Sequence, residues 1–283
     1  MKRRKTVRAG RLVWDIVYPV PNPRDDEYVR KKKKQISARA MELTNCNSAQ
    51  RKLELRMAAA FDLSDLVVTL TFGDWALPSD CKAGRKLLSK FLRQLREYRN
   101  ARGQELFYII CPEGLHGDHR LHFHLILNQT ENDLEVIRSL WPHGDQIDLR
   151  HIYDKTGYGE SGYSGWAGYL SKERREASLN GKRMFTCSRN LPKPKVTYDW
   201  VDDGSTVEAP PGATNVVESG DRNEFASFKA VKYLLPKAAV KSSVSFISGS
   251  KLPLTKGRGR RKVERRVDKP KQKRYNKRQG EAV

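Results

Sequence analysis

From residue 66 to residue 172 the hydrophobic positions fall into short blocks whose period switches between two and about 3.6. Leu66 to Phe72 (LVVTLTF) is β-branched and apolar and reads as a buried strand. Pro78, Ser79 and Asp80 offer helix-start chemistry, and Leu88, Phe91, Leu92 and Leu95 then recur at helical spacing through residues 82–100. Lys82, Arg85, Lys86, Arg93 and Arg96 take the opposite side of that helix. Residues 105–112 (ELFYIICP) read as a second strand. A polar turn over 116–120 leads to a third, LHFHLIL at 121–127, with strict alternation. A short helix over 132–141 stops at Pro142 and Gly144, and residues 146–152 form a fourth strand. The glycine-rich loop TGYGESGYSG follows, and residues 163–175 are helical. Ahead of all this, Ala40, Leu43, Leu53, Leu55, Met57 and Phe61 mark a helix over 36–61, interrupted near Asn45 and Asn47.

Strand–helix–strand–strand–helix–strand is the order of an α+β fold with a ferredoxin-like or RRM-like antiparallel sheet. In that arrangement the two helices cover one face and leave the other open for function. The boundaries expected are a basic N-terminal arm over 1–35, a catalytic domain over 36–198, an acidic, turn-rich linker over 199–224 and a C-terminal extension over 225–283. The arm contains KRRK and the run RKKKK at 30–34, which reads as a solvated charge block. Residues 225–250 show little periodicity. The last 33 residues hold 14 Lys or Arg against three acids, a composition expected to be disordered when free.

Charge narrows the partners. A net charge of +22 over 283 residues points to a polyanion, with nucleic acid the first candidate. No segment has the length of a transmembrane helix, the start lacks the apolar run of a signal peptide, and nothing has the aromatic face of an interfacial helix, so a membrane is not expected. Cys46, Cys81, Cys111 and Cys187 lie far apart and form no CxxC pair, which argues against a zinc finger or a disulfide framework and for a cytoplasmic setting.

His122 and His124, at i and i+2 of a strand, leave the same face, and Leu121, Phe123, Leu125 and Leu127 share the other. Two imidazoles so placed can share one divalent cation. Glu113, at the end of the preceding strand and across a hairpin, is the preferred third ligand because a strand end holds it firmly; Asp118 and His119 in the turn are its rivals. Tyr169 and Lys172 share a helix face at i and i+3, while Trp166 and Leu170 form the core stripe and Tyr163 packs. A phenol titrating near pH ~10 needs a cation on the phosphodiester and a nearby ammonium to act as a nucleophile.

Together these motifs resemble the HUH (histidine–hydrophobic–histidine) endonucleases, specifically rolling-circle replication initiators of the phage and mobile-element kind that include filamentous-phage replication proteins. The resemblance covers residues 38–200 and rests on DLVVTLTF at 65–72, RLHFHLIL at 120–127 with Glu113 upstream, WPHGDQIDLRHIYD at 141–154, YLSK at 169–172 and FTCSRNLPKPKV at 185–196. The tyrosine follows the histidine pair, as in initiators and single-tyrosine transposases and unlike conjugative relaxases. A second tyrosine one turn from the first would fall at Gly165 or Glu173, so a two-tyrosine shuttle is not expected.

The resemblance implies an enzyme with Tyr169 as nucleophile, Lys172 beside it, and His122, His124 and Glu113 holding Mg²⁺ or Mn²⁺. It would nick single-stranded origin DNA, stay attached through a 5′-phosphotyrosine and leave a 3′-hydroxyl. No GxxxxGK[ST] stretch encodes a nucleotide-driven helicase, so a host helicase and DNA polymerase are the expected partners, in the cytoplasm of a bacterial host. The alternatives are a single-tyrosine transposase of the same chemistry and a non-catalytic RRM-like nucleic-acid-binding protein. In the latter, aromatics would stand where His122 and His124 stand.

Overall fold

The computed structural model describes residues 1–20, 38–114, 120–172, 183–222 and 227–236. The middle of the chain builds the expected sheet. Its strands are β3 (Leu66–Leu70), β4 (Tyr108–Glu113), β5 (His122–Leu127), β6 (Ile147–His151) and the short β7 (Thr186–Cys187), in the order β6-β3-β5-β4-β7. Every pairing is antiparallel. The first four strands have the order of a ferredoxin-like sheet, so the α+β expectation holds.

Two helices cover one face, each for a local reason. Helix α2 (Cys81–Asn100) starts at Asp80, whose carboxylate accepts from the Ala83 N–H at 2.6 Å. It buries Leu88, Phe91, Leu92 and Leu95. Helix α3 (Asp133–Leu140) buries Val136 and Ile137. Between them they cover Leu66, Val68 and Leu70 of β3 and Phe123, Leu125 and Leu127 of β5. Full burial of a side chain such as Phe123 contributes about 1.5–3 kcal/mol. The two helices are tied by Arg99, fully buried, which reaches Asp133 at 3.0 Å and the Asn128 side chain at 2.8 Å.

The opposite face is not open, and here the structure corrects the sequence reading. Helix α1 (Ala38–Ala60) runs without interruption and lays Leu53, Met57 and, just beyond it, Phe61 onto Val67, Ile109, Cys111 and Ile126. Helix α4 (Gly162–Tyr169) adds Trp166, Ala167 and, beyond its end, Leu170. The i, i+4, i+8 spacing of Leu53, Met57 and Phe61 is an apolar stripe that must be buried somewhere. The side of the sheet left by α2 and α3 is where it goes.

The chain ends bring a second correction. The basic start is no irregular arm over residues 2–19, and the acidic stretch after 199 is no linker. They form a second antiparallel sheet from β1 (Lys2–Ala9), β2 (Leu12–Pro19), β8 (Lys195–Val201), β9 (Thr214–Arg222) and β10 (Ser227–Leu234), in the order β8-β1-β2-β10-β9. The turn between β1 and β2 places Gly10 at φ 54 against the Ala58 carbonyl, which a Cβ would strike. The residues after 225, expected to lack periodicity, include β10. Alternation explains why so charged a segment folds: Val7 and Ala9 are buried while the cations between them are not. Arg4 lies 2.7 Å from Asp15, itself 1% exposed and also accepting from Thr6 and Tyr233. Val13, Val17, Val207, Val231 and Tyr233 form the core on that side. Ala9, Leu12 and Leu234 join the α1 cluster, so one apolar core spans both sheets. The RKKKK run and the basic C-terminal stretch lie outside the described residues.

Candidate active site

Register brings the three proposed ligands together. Glu113 ends β4 directly opposite His122 on β5, and His124 pairs with Thr69 on its other side. Both imidazoles turn Nε2 toward the Glu113 carboxylate, His124 at 2.9 Å and His122 at 3.3 Å. The ligand atoms of Glu113, His122 and His124 all lie within 4.8 Å of one another. Donors around a cation held at ~2.1 Å sit roughly 3–3.5 Å apart, so little movement separates this cluster from a coordination shell. An imidazole–imidazole–carboxylate set suits a divalent cation that keeps open positions for phosphate oxygens.

The outer nitrogens are already committed. His122 Nδ1 lies 2.9 Å from the Arg120 carbonyl and must donate to it, which leaves the Nε2 lone pair facing the cluster. His124 Nδ1 lies 3.0 Å from the Thr69 hydroxyl, which holds the second ring in the same sense. Arg120 is in turn fixed by the Phe72 carbonyl at 3.0 Å and Asp74 at 2.6 Å. Thr69 and the Arg120 carbonyl are the positions that sequence reasoning missed. Thr69 had a signal: it is the polar member of the Val67–Thr69–Thr71 face, and pairing β3 with β5 puts that face beside the histidines.

The two imidazoles differ in exposure. His124 is buried, 4% exposed, beneath Tyr169, whereas His122 sits at the rim. Burial depresses the proton affinity of both; at His124 burial prevails, with His122 and Lys172 adding to it, and it titrates below the ordinary histidine value. At His122 the hydrogen bond to Glu113 outweighs burial and raises it. For Glu113 burial alone would raise the carboxyl. Hydrogen bonds from His122, His124 and Lys172 overcome that and hold it ionised, well below the usual carboxylate range.

Tyr169, at the end of α4, packs its ring 5.7 Å from that of His124 and 5.5 Å from that of Tyr158. Lys172, one turn on, lies 4.2 Å over the Tyr169 ring and 2.8 Å from Glu113 Oε1. Burial lowers and Glu113 and Tyr169 more than restore its proton affinity, so the ammonium stays charged. The ring pair therefore does not stand on a bare sheet as expected. What lies over it is the helix end carrying the phenol and the ammonium. The glycine-rich loop makes this closeness possible, since a Cβ at Gly157 would come within 3.3 Å of the Tyr169 ring.

The remaining expectations sort cleanly. Trp166 and Leu170 are core, and Tyr163 is buried with its hydroxyl donating to the Phe61 carbonyl at 2.7 Å. Gly165 packs against the Glu160 backbone, 2.8 Å from where a Cβ would stand, so no tyrosine fits there. Asp118, His119 and Glu173 lie outside the described residues. The four cysteines are unpaired, and no helix among the described residues is long and apolar enough to cross a membrane.

No curated protein and no solved structure matches the chain. A family model does match, over the segment that supplies β3, the ligand cluster and the helix with Tyr169 and Lys172. Residues 65–174 of this chain belong to the replication-associated protein ORF2 family, a family of rolling-circle replication initiators.

Proposed function

We propose that the protein is an HUH-type initiator that nicks single-stranded origin DNA by tyrosine transesterification, with Tyr169 as nucleophile. Glu113, His122 and His124 would hold a divalent cation, Mg²⁺ or Mn²⁺. When bound, that cation neutralises charge on the non-bridging phosphate oxygens. Lys172 keeps an ammonium against the Tyr169 ring and favours the phenolate. The phenolate oxygen attacks phosphorus in line, a Tyr–O–P bond forms, and the P–O3′ bond breaks. The 3′ oxygen leaves and takes up a proton, which yields a 5′-phosphotyrosine and a free 3′-hydroxyl. Attack by a 3′-hydroxyl on the same phosphorus reverses the sequence and reseals the strand. Unwinding and synthesis fall to a separate helicase and polymerase.

One observation carries this reading: the Tyr169 ring packs on His124 while His124, His122 and Glu113 converge on one point. The family match favours replication initiation over transposition by the same chemistry. The test incubates the protein with single-stranded origin DNA and Mg²⁺ or Mn²⁺ and looks for a denaturation-resistant protein–DNA adduct. The parent should form it, and a chelator or Tyr169→Phe should abolish it. An adduct that persists in Tyr169→Phe would place the nucleophile elsewhere.

A further inference from the structure

The second sheet carries a surface that the nicking chemistry does not use. Val196, Tyr198 and Trp200 leave β8 on one side, because alternate residues of a strand share a face. They are 44%, 48% and 59% exposed. Large apolar side chains along an edge strand invite unwanted pairing unless they have a partner. The neighbouring strand shows what partner fits. Lys5 stands directly opposite Tyr198 and Arg3 opposite Trp200. The Arg3 guanidinium lies 4.4 Å from the Tyr198 ring centre and 5.6 Å from that of Trp200, and Lys5 Nζ lies 6.0 Å from Tyr198. The face continues across β2, where Tyr18 is opposite Arg3.

The acids of these strands go the other way. Asp199 pairs opposite Arg4, and Asp15 is buried against Arg4 and Thr6, on the far side of the sheet. On β1, β2 and β8 this face therefore presents rings and cations and no carboxylate. Flat rings set beside positive groups match a chain in which bases alternate with phosphates, and only an unpaired strand offers its base faces. An acidic protein partner would satisfy the cations but would leave the ring faces without a matching group.

We propose that this face binds single-stranded DNA, with bases stacked on Tyr198 and Trp200 and phosphates held by Arg3 and Lys5. It rests on the reading of DNA as the substrate and adds a second, sequence-tolerant grip outside the nicking site. Such a grip would retain the displaced strand while the catalytic sheet holds the origin.

The test measures binding of the full chain to fluorescent poly-dT by anisotropy in excess chelator, where no strand is cut. Tyr198→Ala/Trp200→Ala should weaken binding by roughly 10- to 100-fold, the loss expected for two stacking sites. Tyr198→Phe/Trp200→Phe, which keeps the rings, should bind within about twofold of the parent. Arg3→Ala/Lys5→Ala should reduce the salt dependence by about two phosphate contacts. Parental affinity in the alanine variant, an equal loss on duplex DNA, or equal weakening by the phenylalanine pair would each overturn the proposal. A parent that binds poly-dT but forms no adduct with metal present overturns the nicking reading alone.

Discussion

The two sheets of this protein have the same number of strands and the same antiparallel pairing, yet they are held together differently. The catalytic sheet is packed on both faces, by α2 and α3 on one side and by α1 and α4 on the other. The sheet built from the chain ends is covered on one side by a small cluster around Val13, Val17 and Val231, and within that sheet lies the buried pair of Asp15 and Arg4. The first is an apolar sandwich interrupted at one end by a cluster of chemistry. The second is a charged ribbon with a polar tie at its centre. Function can be concentrated in the former because its surroundings hold the side chains still, whereas the latter keeps a wide face for contact.

That contrast can be broken from either side. Phe123→Ala empties the most enclosed part of the catalytic sheet and should cost about 3–5 kcal/mol of unfolding free energy, read by denaturant titration. Asp15→Ala should cost somewhat less, about 2–4 kcal/mol, because it strands a partly buried guanidinium whose other side still meets water. A loss below about 0.5 kcal/mol would mean that the second sheet does not depend on its polar tie.

Thr69→Val sharpens the comparison inside the catalytic sheet, where shape is kept and only the hydroxyl on His124 Nδ1 is lost. Fold stability should change little, while affinity for Mn²⁺ measured by calorimetry should fall about 10- to 100-fold. An unchanged affinity would make the Thr69 contact incidental. The smallest effect is expected on the outer surface. Arg93→Ala removes a pair with Glu97 that is 3.9 Å long and two-thirds exposed, and should shift stability by less than about 0.5 kcal/mol.

The same contrast explains what could be read in advance. In the catalytic sheet the period of the apolar residues matched the element that formed. Strict alternation in LHFHLIL gave both the strand and the shared face of His122 and His124, and helical spacing gave α2 and its buried side. Glu113 could be named because a hairpin fixes which residues stand opposite one another. The second sheet escaped because Lys2 to Lys5 is unbroken charge, and a charge run ordinarily belongs to solvent. It becomes a strand only when β2 and β8, from opposite ends of the described chain, flank it on both sides. Nothing local announces that pairing. Residues 199–224 misled in the same way, since turn-rich acidic composition hides two strands whose partners are distant.

Local pattern by itself determined the order of strands and helices between residues 66 and 172, the side from which each imidazole leaves its strand, and the helical neighbourhood of Tyr169 and Lys172. These follow from side-chain periods set by backbone geometry, which act over a few residues. Only the tertiary structure decided that α1 closes the second face, that His124 lies beneath the phenol while His122 stays at the rim, that Thr69 and the Arg120 carbonyl orient the two rings, and that the chain's two ends meet in one sheet. Those outcomes depend on contacts between segments far apart in sequence, where burial and register are settled by the whole packing and not by any stretch of it.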